Sequence, residues 1–150
     1  MRGRTLDIAL TVILVIVALG FGACGGESGG DQNTAVISAI NILDTAGLHD
    51  IETSINEKGE IPASARTTAL KMQTVVALTE WPGELEQEAN ALGAILAEMA
   101  KALDGDKPDV KAAGAAAKKA HDAEHDFSGK VWEHLMEEAG IAGRTAPHKD

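Results

Sequence analysis

From residue 34 to residue 139 apolar side chains recur at three- and four-residue spacings, and no stretch shows the period-two alternation of a half-buried strand. Val36, Ile40, Leu43, Gly47, Ile51 and Ile55 predict a first helix from Thr34 to Lys58, closed by Gly59. A second helix is expected to start near Pro62, a residue favoured in a first turn, and to carry Ala65, Ala69, Met72, Val76 and Thr79 inward until Pro82 ends it. The third begins at Pro82 or Gly83 and runs to about Leu103, with the cleanest stripe of the chain: Leu85, Ala89, Leu92, Leu96, Met99 and Leu103. "DGDKPD" breaks it, and a fourth helix is expected from Pro108 to Ala139, with Gly140 as its cap. The connections are short, so consecutive helices must run antiparallel. The expected fold is all-α, an up-down-up-down four-helix bundle over residues 34–140, followed by a disordered tail at 141–150.

The first 33 residues follow a different pattern. Arg2 and Arg4 precede a long apolar run, and small residues then lead to a cysteine, the three-part layout of a secretory signal over residues 1–23. Residues 24–33, "CGGESGGDQN", hold too little apolar surface to order themselves and read as a flexible tether. The stretch Phe21-Gly22-Ala23-Cys24 resembles the lipobox of bacterial lipoproteins, in which a peptidase cuts before a cysteine that carries lipid. Phe21 departs from the aliphatic residue usual there, whereas Gly22 and Ala23 fit. The resemblance implies an exported protein attached to the membrane through Cys24, at the outer face of the cell membrane or in the periplasm. Cys24 is the one cysteine, so no disulfide can form within the chain.

Composition narrows the function classes further. The chain has 150 residues and is 45% hydrophobic, enough for one domain with a core; aromatic content of 3% favours helix over sheet. A net charge of −10 argues against a nucleic-acid partner, because binding phosphates needs a basic surface. No nucleophile with a base and an orienting third group can be assembled, and no phosphate loop or haem-attachment motif is present, so an enzyme is not expected. Met72, Met99 and Met136 read as core filling, and Trp81, Trp132 and Phe127 as core or rim packing.

The chemistry concentrates in "AHDAEHDFSGKVWEHL", residues 120–135. At 100° per residue, Val110, Ala113, Ala117, Val131 and Leu135 lie within about 40° of one line. Glu124 falls about 20° from that core line, His121 about 40° and His125 about 80°, while His134 and Asp122 turn towards solvent. A carboxylate so near a seam must be neutralised, paired or bound to a cation. Antiparallel pairing of the first and fourth helices puts Asp44 level with His121 to Glu124, and Glu52 on the same flank. His, Asp and Glu converging from two helices form the ligand set of carboxylate-rich metal sites in bundles, suited to a divalent ion such as iron, zinc or manganese. Gly47, Gly93 and Gly114 leave space near that height, for a ligand or for close packing.

Two motifs bear on the same residues. "GLHDIE", residues 47–52, is similar to the Gly-x-His-x-x-Glu motif of imelysin-like proteins, helical extracytoplasmic proteins associated with iron uptake; the likeness implies that His49 and Glu52 are metal ligands. It spans six residues, and a straight helix turns His49 away from the core unless Gly47 bends it. "HDAEH", residues 121–125, matches the His-x-x-Glu-His pattern of inverted zinc peptidases, but no other feature resembles a peptidase. The expected metal residues are therefore His121, Glu124, His125, Asp44, His49 and Glu52. The competing reading makes them structural polar groups, with His121 and Glu124 bonded to Asp44 or Lys118, in a lipid-tethered interaction module.

Overall fold

The computed structural model describes residues 28–141, which contain five helices: α1 (Ser28–Asp44), α2 (Leu48–Lys58), α3 (Ala65–Leu78), α4 (Glu86–Ala102) and α5 (Val110–Glu138). The signal segment, Cys24 and residues 142–150 of the tail lie outside the described residues. Among the described residues there is no strand, and no helix is long and apolar enough to cross a membrane. The helices form a four-helix bundle in which α1 and α2 together make the first leg. α3 packs on α4, α4 on α5, and α5 back on α2. Cross-links descend one helix as they climb its neighbour: Glu88 meets Lys130 and Glu98 meets Lys119, while Asp44 meets Ser128 and Glu52 meets His121. Both pairs of legs are therefore antiparallel.

The expected apolar stripes close the core. Val36, Ile40, Leu43, Ile51 and Ile55 of the first leg are buried, as are Ala65, Ala69, Met72 and Val76 of α3 and Leu85, Ala89, Leu92, Leu96, Met99 and Leu103 along α4. α5 contributes small residues, Ala113, Ala117 and Ala120, then larger ones, Phe127, Val131 and Leu135. Trp81 packs edge-on against Phe127 with ring centres 4.9 Å apart, and its indole N–H donates to the Val76 carbonyl at 2.9 Å.

Several boundaries differ from the expected ones. The helix expected from Thr34 to Lys58 is interrupted: after Asp44 the chain turns, and Gly47 takes φ +80°, a left-handed conformation that a β-carbon disfavours. At the amino end, α1 begins at Ser28, so residues 28–33 of the assumed tether are helical; Gln32 donates to the Glu80 carbonyl and Asn33 to Glu138. Pro62 and Pro82 do not open helices but start turns, their carbonyls accepting from Ala65 and Leu85 three residues on. α5 starts at Val110 behind an Asp109 cap whose carboxylate accepts the Ala112 amide at 2.7 Å. Val110 is consequently at the helix edge and 40% exposed, not part of the core. Thr79 lies just past α3, partly buried, its hydroxyl bonded to the Val75 carbonyl.

Candidate functional site

The break at Gly47 decides which side chains meet α5. Across an unbroken helix His49 would stand about 140° from Asp44. With the angular phase reset at Gly47, Asp44 at the end of α1 and His49 and Glu52 at the start of α2 all face the same stretch of α5. They form two adjacent but separate groups.

The first group is centred on His121. Its Nδ1–H donates to Glu52 Oε2 at 2.6 Å, and both side chains are largely buried, at 14% and 19% exposure. An ionised carboxylate only accepts, so the proton of the neutral ring sits on Nδ1 and the Nε2 lone pair faces outward. His125, one turn along α5, donates its Nε2–H to that nitrogen at 2.9 Å, with the ring centres 4.6 Å apart and the planes at 67°. His49 completes the group, its ring centre 5.2 Å from that of His121. His49 and His125 are exposed, so the cluster opens to solvent.

The second group is centred on Asp44. One oxygen accepts from the Ser128 hydroxyl at 2.7 Å and the other from the Trp132 indole N–H at 3.4 Å. Glu124, only 5% exposed, is hydrogen-bonded to it as well. Burial, chiefly, and then the bond to and negative charge of Asp44 push the Glu124 carboxyl up to about 7. Below about pH 7 the buried Glu124 is therefore held in its protonated form, which can donate to Asp44.

The six expected residues therefore divide: His49, Glu52, His121 and His125 come together, while Asp44 and Glu124 pair beside them. Among the described residues, no three His, Cys, Asp or Glu side chains already stand in a chelating arrangement. No described buried side-chain nitrogen or oxygen is left without a partner. Gly114 serves close packing: a β-carbon there would strike the Asn56 amide, whose Nδ2 donates to the Gly114 carbonyl at 3.3 Å. Two clefts of about 140 and 340 Å³ lie on other seams, one between α4 and α5 and one where α3 turns into α4.

Three contributors escaped the sequence reading. Ser128 and Trp132 follow Glu124 at four-residue intervals, a spacing that marks one helix face and was the available signal. His134, expected in solvent, is only 12% exposed and pairs through Nδ1 with Glu84 Oε1 at 2.7 Å. Asp122 does face solvent, bound to Lys118 at 2.8 Å. No protein-family model, curated protein or solved structure matches the chain.

Proposed function

We propose that the chain is an exported lipoprotein, held at the outer face of the cell membrane or in the periplasm through acylated Cys24, whose bundle binds a divalent metal ion between its first and last legs for uptake or buffering. One observation carries the metal reading: the Nε2 atoms of His121 and His125 approach to 2.9 Å on the solvent side of a carboxylate that fixes the His121 ring. Nitrogens about 2.05 Å from one ion and about 90° apart stand about 2.9 Å from each other, and tetrahedral ligation opens that distance to about 3.3 Å. An ion that displaces the proton of this N–H···N bond finds the pair at the bite of a cis ligand pair. Histidines one helical turn apart are a recurrent metal-binding spacing, and a carboxylate behind a ligating imidazole is its usual support. The Gly47, His49, Glu52 resemblance to imelysin-like proteins points the same way.

A second reading, a lipid-tethered interaction module with a structural polar seam, is favoured by the complete pairing of the described buried polar side chains without an ion. Purification of the full chain from membranes in detergent separates the two. Under the proposal, Cys24→Ser shifts the protein out of the detergent phase. Zinc at about 100 times its dissociation constant stabilises the wild type by about 2.7 kcal/mol, several degrees in melting temperature, and His121→Ala abolishes that gain. A melting temperature indifferent to zinc, manganese, ferrous iron and chelator would leave the interaction module.

A further inference from the structure

Within that metal-binding reading, on which the following rests, the side chains separate into ligands and supports. We propose that three imidazoles, His49, His121 and His125, take the ion while Glu52 positions His121 without ligating. The site then favours nitrogen-preferring divalent ions of the zinc, nickel and copper kind over manganese and ferrous iron.

The carboxylates that hard, oxygen-preferring ions require are engaged elsewhere. Glu52 Oε2 accepts the His121 Nδ1 proton at 2.6 Å, a bond that keeps the Nε2 lone pair directed at His125 Nε2 on the exposed side. Asp44 accepts from Ser128 and Trp132, and Glu124 is turned to Asp44 and buried although it lies between the two histidines in sequence. What remains around the outward nitrogen is imidazole, a donor suited to zinc, copper and nickel.

His49 supplies the third ligand. A ring centre lies about 1.1 Å beyond its ligating nitrogen, so two imidazoles on one ion have centres about 4.5 Å apart at 90° and about 5.2 Å apart at the tetrahedral angle. The His49 and His121 centres are 5.2 Å apart. His49 sits exposed in the first turn of α2, where rotation about its side-chain bonds can bring a nitrogen to the ion without moving a helix. The exposed side leaves a coordination position for water or an incoming chelate, as suits an ion that must be handed on.

The test uses the full chain in detergent micelles, titrated separately with zinc, manganese and ferrous iron, and loaded with one equivalent of cupric ion for electron paramagnetic resonance. Zinc is expected to bind tighter than manganese or ferrous iron by on the order of a hundredfold. Glu52→Gln should weaken zinc by about 10- to 100-fold yet keep three nitrogen couplings in the cupric spectrum, as befits a positioning residue. His49→Ala should leave two couplings. Tighter binding of manganese or ferrous iron, or three couplings surviving in His49→Ala, overturns the three-imidazole assignment while the metal-binding reading stands. Failure of every ion to bind overturns that reading, and this inference with it.

Discussion

The seam between α3 and α4 and the seam between α2 and α5 are built from different materials. The first is closed by Ala65, Ala69, Met72 and Val76 against Leu92, Leu96 and Met99, and its long-range ion pair, Arg66 with Asp104, lies at the solvent edge. The second mixes Ile51, Ile55, Ala113 and Ala117 with Glu52, Asn56 and His121. Apolar burial is non-directional: it stabilises by area and tolerates sliding. Hydrogen bonds between named donors and acceptors permit one register only, and they contribute less net free energy because water competes for each partner. Both seams share one apolar core, and the second adds directional contacts that fix alignment and carry the chemistry.

The largest expected effect tests the apolar seam. Leu96→Ala empties a fully buried site and should cost about 2–5 kcal/mol in chemical denaturation. His121→Ala, measured beside it without metal, should cost clearly less; an equal loss would erase the division between seams. Next in size is Glu124→Gln. Folding raises the Glu124 carboxyl from 4.5 to about 7, so the folded state holds the proton more tightly than the unfolded one. That contribution is present below pH 4.5 and is lost as pH rises from 4.5 to about 7. Glutamine imitates the protonated acid, so at pH 8 the variant should be more stable by up to about 3 kcal/mol, and at pH 4 indistinguishable from wild type. A destabilised Glu124→Gln at pH 8 would contradict the raised Glu124 carboxyl. The smallest effect belongs outside both seams: Lys119, paired with Glu98 at 2.6 Å but more than half exposed, should lose at most about 0.5 kcal/mol on change to alanine. Melting curves at low and high salt would show any larger contribution.

The α3 and α4 stripes were legible because their buried positions are uniformly apolar and their helices uninterrupted, so a single 100° step carries the stripe from Leu85 to Leu103, leaving out only the buried Ala100 at its margin. The helical, four-leg architecture followed from the same periodicity. The angular arithmetic failed at Gly47, since glycine within a helical pattern costs only about 1 kcal/mol and does not announce a break. A bend at Gly47 was recognised as the condition for His49 to turn inward, but the pattern does not say that the bend occurs. Asp44 was expected level with His121 to Glu124; it meets Glu124 but otherwise Ser128 and Trp132 further along α5, and pairing register alone cannot tell a cation from a proton as the partner of Glu124. His134 was misjudged because a wheel describes one helix, whereas Glu84 reaches it from the turn before α4.

The left-handed residue at Gly47 also has a kinematic meaning. It divides the first leg into rods of 17 and 11 residues, each with its own angular origin. Inserting or deleting one residue early in α1 turns the preceding part of that rod by about 100° and leaves α2 untouched. A joint of this kind lets the two ends of one leg vary as separate modules. The amino-terminal rod can be lengthened, shortened or re-aimed without rotating His49 and Glu52 away from α5, and the histidine cluster can be altered without disturbing the grip of Asp44 on Ser128 and Trp132.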